Sequence, residues 1–353
     1  MFSEICLLVL TFQNMVVSAR KIGDTVVSPI GFGCMGLHAM YGPSSEEANQ
    51  AVLTRAADMG CTFWDSSDMY GFGANEDCLG RWFKQTGRRK EIFLATKFGY
   101  EKKPDGSGAL NNTPEHIHRA LDNSLKRLGV ESIDLYYVHR FSGETPVEII
   151  METLKGLVEA GKIRYIGLSE CSAETVRRAC KVYPVSAVQI EYSPFSLEIE
   201  RPEIGVKQAC RENNITIVCY APLGRGFLTG AYKSPDDFPE GDFRRIAPRY
   251  QKENFYKNLE LVEKLESIAA KNNATSGQLS LAWILAQGDD FLPIPGTKRI
   301  KYLEENYSAK DIQLSPDTVR EIREASDSAE IVGQRYPPGA GAKIFMDTPP
   351  LSK

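Results

Sequence analysis

Nowhere do the chain's eight cysteines, at 6, 34, 61, 78, 171, 180, 210 and 219, form a C-x-x-C pair. That absence excludes the usual zinc frameworks and a thioredoxin-type redox motif, and no metal site is implied. Scattered along 353 residues and set in apolar runs such as "TIVCYAPL", they read as reduced thiols of a cytoplasmic protein. No apolar run approaches the roughly 20 residues that cross a membrane. The start, "MFSEICLLVLTF", lacks the basic cluster and the small-residue cleavage site of a secretory signal. A strong charge imbalance is also missing: the net charge is -4, with Lys and Arg spread along the chain, so there is no basic stripe for nucleic acid. No G-x-G-x-x-G both follows a strand and opens a helix. "GFGCMG" (31–36) has the glycines, but a loop follows it, which argues against a dinucleotide-binding doubly wound sheet. Nothing in the sequence signals an oligomeric state.

What is present is an ordinary globular composition, 42% hydrophobic and 25% charged, able to bury a large core. Short runs rich in β-branched and aromatic residues recur, each followed by a longer segment of helical period. Eight candidate strands stand at 29–35, 61–66, 91–97, 134–139, 163–169, 186–192, 215–220 and 291–296. The intervening helices announce their ends. "TPEHIHRALDNSLKRLG" offers Thr113 as cap, Pro114 in the first turn and Gly129 as stop, and "SSEEANQAVLTRAADMG" and "TPVEIIMETLKGLVEAG" repeat the pattern. Eight β-then-α units over about 300 residues predict a (β/α)8 TIM barrel. "ARKIGDTVVSPIG" predicts a hairpin turning at Gly23-Asp24 that plugs the lower end of the barrel. Since Met15 opens this folded stretch, residues 1–14 read as an extension outside the core, 15–330 as the barrel and 331–353 as a tail.

In such a barrel the chemistry sits where strands end at their carboxyl side. Asp65 ends the second strand, Tyr70 lies in its loop, Lys97 ends the third and His139 ends the fourth. Each alone has a structural explanation, as a turn cap, a packed ring, a snorkelling amine or a core histidine. Together they make an acid–base device. A carbonyl that accepts hydride needs a proton at oxygen, and a phenol with a pKa of about 10 is a reluctant donor. An ammonium beside it favours phenolate, and a carboxylate holds that ammonium in place.

With these residues the chain resembles the aldo-keto reductase superfamily, from about Ala19 to Asp327. The family's tetrad matches Asp65 and Tyr70 in "DSSDMY", Lys97 in "ATKFG" and His139 in "YYVHR". The resemblance implies Tyr70 as general acid, Lys97 as modifier of its pKa, Asp65 as the lysine's partner and His139 as the group that orients substrate; Asp68 has no role in the family's motif. It also implies NADPH/NADP+ as cofactor. Ser169 and Gln189 would meet the carboxamide and Tyr220 would stack on the nicotinamide, with Gly33, Cys34 and Met35 lining the pocket. Leu223, Arg225 and Gly226 would clasp the pyrophosphate. Gly296, Lys298 and Arg299 would form an anion site for the 2′-phosphate, and Glu305 and Asn306 would meet the adenine. Glu170 departs from the asparagine common after that serine, and an acid lacks the amide's donor.

The expected activity is NADPH-dependent reduction of a small aldehyde or ketone. The alternative is a regulatory protein on the same barrel, like the channel β subunits, in which turnover is slow. "GFGCMGL" and "VQIEYSPFSLEIE" look closest to the branch with fungal and plant pyridoxal and alkaloid aldehyde reductases. Substrate selection is expected from Met40, Tyr41, Tyr100 to Leu110, Phe141 and the tail, with Gln334 to Pro338 reaching the site.

Overall fold

Every second residue of the apolar runs points into one common interior. Phe63, Phe93, Ala95, Leu135, Tyr137, Ala187, Val218 and Leu292 form one buried cluster, while their neighbours Trp64, Leu94, Tyr136, Val188 and Ile217 belong to a second, larger one. That alternation is what a barrel strand requires, with one face filling the barrel and the other packing on surrounding helices. The computed structural model describes residues 20–38, 40–42, 44–102, 108–337 and 344–352. The expected extension of residues 1–14, Met15 and Pro338 lie outside the described residues.

The chain opens with the expected hairpin of β1 (Arg20–Ile22) and β2 (Thr25–Val27), turning at Gly23-Asp24. Ile22 and Val27 pack into the interior cluster, and buried Arg20 donates to the Phe291 and Leu285 carbonyls, which fixes the plug to the strand floor. The eight predicted barrel strands follow: β3 (Phe32–Gly33), β4 (Phe63–Asp65), β5 (Phe93–Phe98), β8 (Ile133–Val138), β9 (Ile163–Ser169), β10 (Ala187–Glu191), β11 (Thr216–Tyr220) and β12 (Phe291–Pro293). They pair in that order, all parallel. A hairpin of β6 (Tyr100–Lys102) and β7 (Gly108–Leu110) rises above β5 at the mouth.

Helices α1 (Glu46–Asp58), α2 (Ala74–Thr86), α3 (Pro114–Leu128), α4 (Val147–Glu159), α5 (Ala173–Val182), α6 (Val206–Glu212), α8 (Ser276–Leu285) and α9 (Ile300–Ser308) surround the strands. Two more, α7 (Lys252–Lys271) and α10 (Pro316–Asp327), pack against each other outside that ring. The caps predicted for α3 hold, Thr113 Oγ1 accepting from the His116 N–H and Gly129 ending the helix at φ 63°; α4 instead begins after Pro146 with no side-chain cap, so Thr145 does not repeat that role. Among the described residues no helix is long and apolar enough to cross a membrane.

The ladder is continuous from β3 round to β12 but is thin where those two meet. Gly31 N–H donates to Pro293 O at 2.9 Å and Gly33 N–H to Pro295 O at 3.2 Å, closing the barrel. The return bond to the Gly31 carbonyl would have to come from residue 295, and a proline has no N–H to give. Among the described residues the first and last strands are joined in one direction only, and both are shorter than the apolar runs predict.

Candidate active site

The period of two that fills the barrel also aims its top. Phe63 faces inward, so Asp65 does; Ala95 sets the same face for Lys97, and Leu135 and Tyr137 set it for His139. Register brings them level, with Asp65 opposite Ala95 and Lys97 opposite Tyr137. The loop after β4 runs on along β5 for two further steps, Ser66 N–H donating to Ala95 O and Asp68 N–H to Lys97 O. Gly71, Phe72 and Gly73 then reverse the chain into α2 with φ of 60°, 52° and 98°. Left-handed backbone is free for the glycines but costs Phe72 about 1 kcal/mol, and its ring stands 71% exposed at the mouth under the Lys102 ammonium.

Lys97 Nζ spends its three donors on Asp65 Oδ1 (2.5 Å), the Ser66 carbonyl (2.7 Å) and the Tyr70 hydroxyl (3.2 Å). Asp65 Oδ2 accepts from Gln189 Nε2 at 2.7 Å. Burial opposes the charge on Lys97, but Asp65 and Tyr70 outweigh it and its pKa rises, so the amine stays an ammonium. Burial pushes the Asp65 carboxyl up, against the pull of Lys97 and Gln189. It also pushes the Tyr70 phenol above its ordinary value, and Lys97 only partly reverses this. The expectation that the lysine lowers this pKa thus holds for the lysine's own contribution and not for the sum, because the ring is buried.

His139 is buried, its Nδ1 3.0 Å from Ser67 Oγ, with the rings of Tyr70 and Tyr100 edge-on to it. Burial, then Arg140 and Lys97, push its pKa well below the ordinary value, so the imidazole is neutral. Arg140 turns back to its neighbour's carbonyl (2.7 Å) and to Ser169 Oγ (3.2 Å).

Several of the residues expected around a dinucleotide end neighbouring strands of the barrel. Ser169 ends β9 level with Gln189 on β10, and Tyr220 ends β11 half-buried. Gly33 and Gly296 touch backbone to backbone: a Cβ on Gly33 would sit 2.7 Å from Ile294 O, and one on Gly296 2.6 Å from Gly33 O. Met35 is partly exposed, but the Cys34 thiol is buried in the outer core, so Cys34 offers the mouth only backbone. Buried Leu223 leads into Arg225 and Gly226, at φ 56° and 87°, and the Arg225 guanidinium lies over Phe243 and Tyr336. At the far end no side chain caps α9, Arg299 is exposed, and Lys298 Nζ donates to the Tyr41 and Gly42 carbonyls. Glu305 accepts from Thr275 Oγ1, and Asn306 is buried beside it. An aromatic platform, a cradle without side chains and an uncapped helix start with two cations suit a phosphorylated dinucleotide.

Sequence reasoning missed what Glu170 does. It has a φ of 51° and is fully buried, accepting from Tyr220 OH at 2.7 Å and Glu191 N–H at 3.3 Å. Arg335 of the tail lies buried against Glu170 (3.5 Å), Glu191 (3.9 Å) and Glu198 (2.9 Å), and Tyr336 OH lies 3.3 Å from Tyr220 OH. The tail was expected at the site, and "QRY", an arginine and a tyrosine in a stretch otherwise poor in charge, was the available signal. Past residue 343 the tail is pinned again, Met346 pairing with Cys171 and Arg178 donating to Thr348 O and Pro349 O.

The sequence model of the Aldo/keto reductase family matches residues 29–327. The aldo-keto reductase yakc of Schizosaccharomyces pombe, whose name specifies NADP(+), is 80% identical over 340 residues, covering 96% of this chain and 100% of that protein. Aldo-keto reductase str7 of Strobilurus tenacellus is 50% identical over 344 residues, covering 96% and 99%. Among solved structures, the glycerol dehydrogenase AKR11B4 from Gluconobacter oxydans superposes with a TM-score of 0.78 at 26% identity, covering 91% of this chain and 98% of that one.

Proposed function

The chain belongs to the aldo/keto reductase family, and we propose that it reduces an aldehyde or ketone to the alcohol with NADPH, Tyr70 giving the proton. One observation carries the reading: a single buried ammonium, Lys97 Nζ, joins the Asp65 carboxylate to the Tyr70 phenol at the barrel mouth. NADP is supported by the name of a relative 80% identical and by the cations at the start of α9.

Bound NADPH supplies hydride to the carbonyl carbon. Tyr70 releases its hydroxyl proton to the carbonyl oxygen, and the phenolate left behind is stabilised by Lys97, which Asp65 anchors. Neutral His139 offers a ring nitrogen to the same oxygen. Ser169 and Gln189 would hold the carboxamide and Tyr220 would stack on the ring, while Glu170, buried behind them, fixes the Tyr220 hydroxyl. Leu223, Arg225 and Gly226 would hold the pyrophosphate, Lys298 and Arg299 the 2′-phosphate, and Glu305 and Asn306 the adenine. Gly33, Met35 and Gly296 form the wall between these points.

The test is NADPH oxidation by purified protein against a panel of aldehydes and ketones. Steady turnover is expected with at least one aldehyde. Tight NADPH binding with no turnover would overturn this reading in favour of a cofactor-sensing regulatory protein.

A further inference from the structure

Asp68 is the one acid of "WDSSDMY" that the mechanism above leaves unused. It stands at the end of a hydrogen-bonded chain that starts behind the catalytic histidine. His139 Nδ1 lies 3.0 Å from Ser67 Oγ, and Ser67 Oγ lies 3.3 Å from Asp68 Oδ1. Ser67 is fully buried, and its oxygen also accepts from the Met69 N–H at 3.2 Å, so the hydroxyl has one proton to give and one lone pair left to receive. Asp68 is only partly exposed, yet it reaches further toward solvent than either partner.

A hydroxyl so constrained can point its proton at only one of these two partners at a time. We propose that Asp68, acting through Ser67, sets which nitrogen of His139 carries the proton, and so whether the ring meets the substrate oxygen as donor or acceptor. With Asp68 protonated, its O–H donates to Ser67 and the Ser67 O–H donates to a bare Nδ1. The imidazole proton is then on Nε2, where it can be given to a carbonyl oxygen. With Asp68 ionised, Ser67 donates to the carboxylate and accepts from Nδ1–H, leaving Nε2 as a lone pair suited to an alcohol O–H. The change takes up or releases one proton at Asp68, while the single proton of the neutral ring moves between its nitrogens. The low pKa of His139 keeps the ring neutral, so tautomer and not charge is what varies.

The surroundings place this change near physiological conditions. Burial first, then Glu76 of α2, push the Asp68 carboxyl up to about 8, while Ser67 and Arg127 of α3 pull the other way. Tyr100 of β6 and Tyr136 of β8 also feel its charge. His139 itself faces Lys97, Arg140, Tyr70 and Tyr100. Below about 8 the donor tautomer favours carbonyl reduction; above it the acceptor tautomer favours alcohol oxidation. Asp68 is thus a positioning residue. Its kinetic consequences rest on the reading of His139 as a substrate-facing group, but its effect on the tautomer does not.

The decisive measurement is imidazole-nitrogen NMR on isotope-labelled protein, which separates the tautomers without any substrate and has only four histidines to assign. In the native protein His139 is expected to exchange its Nδ1 and Nε2 signal types across a one-proton transition near 8. Ser67→Ala should abolish that exchange, and Asp68→Asn, whose amide can donate to Ser67 at every pH, should hold the Nε2–H form throughout. Kinetically, Asp68→Asn should flatten the alkaline fall in kcat/KM for aldehyde reduction and lower alcohol oxidation by about tenfold. A single unchanging tautomer in the native protein, or a transition that survives Ser67→Ala, refutes the proposal. A normal tautomer switch in a protein that reduces no carbonyl would retain it and overturn the activity instead.

Discussion

The Tyr220 hydroxyl donates to Glu170 Oε1 at 2.7 Å, so the aromatic at the end of β11 is tied to the residue that stands where asparagine is common. Glu170 therefore works through its carboxylate and not through a missing amide. Its charge is balanced by Arg335, 165 residues away in sequence, which itself faces three acids from inside the protein. Removing one partner of such a buried set leaves charge uncompensated. Arg335→Ala is expected to destabilise the fold by about 3 kcal/mol, read as a lowered urea midpoint. It should also release the tail, read as faster proteolysis around Gly333. Unchanged denaturation would mean that Arg249, also on Glu191 and Glu198, suffices alone.

Tyr70→Phe deletes one hydroxyl from a ring that otherwise keeps its packing. Carbonyl reduction should fall by a factor of about 100 to 10,000, while the NADPH dissociation constant stays nearly the same. A matching loss of binding would assign Tyr70 a structural role.

Asp68 gives a stability prediction whose sign is opposite to that of a salt-bridged acid. Its folded-state pKa is raised from 3.8 to about 8, so folding favours the protonated form. That advantage is fully present below 3.8, is lost progressively as pH rises toward about 8, and is gone above it. Asp68→Asn should therefore match the native protein in acid and become the more stable of the two as pH rises. Denaturant titrations at both ends of that window check it; parallel pH profiles would contradict the raised value.

Gly167 lies beneath the site. A Cβ there would come within 2.3 Å of the Tyr137 ring, which is itself 5.9 Å below the Lys97 ammonium. Gly167→Ala should cost about 1 to 3 kcal/mol by overpacking and reduce kcat more than it raises KM, because the displaced ring supports the lysine. A variant with full stability and activity would show that the barrel interior has slack.

These residues also mark how far sequence reading reaches. The eight strands were visible because both faces of each are covered, and a continuous apolar run survives in the sequence. Asp65, Lys97 and His139 were visible because each ends a readable strand at its carboxyl side, where barrel chemistry sits. The β6–β7 hairpin was not, since "YEKKPDGSGAL" is polar and lacks alternation. The short ladder of β3 escaped notice because it depends on the absent N–H of a proline about 260 positions later. Glu170 with Arg335, and Ser67 with His139, are contacts between distant segments, and neither local propensity nor period carries them.

The one-way seam at Pro293 and Pro295 has a consequence for how the molecule comes into being. Its bonds join residues 31 and 33 to residues 293 and 295, so no barrel can close until more than four-fifths of the chain has been made. Pairing over so long a separation is intrinsically slow. The opening strand must wait with its edge unpaired while its sisters assemble, and the last stitch in the protein's assembly is also its thinnest.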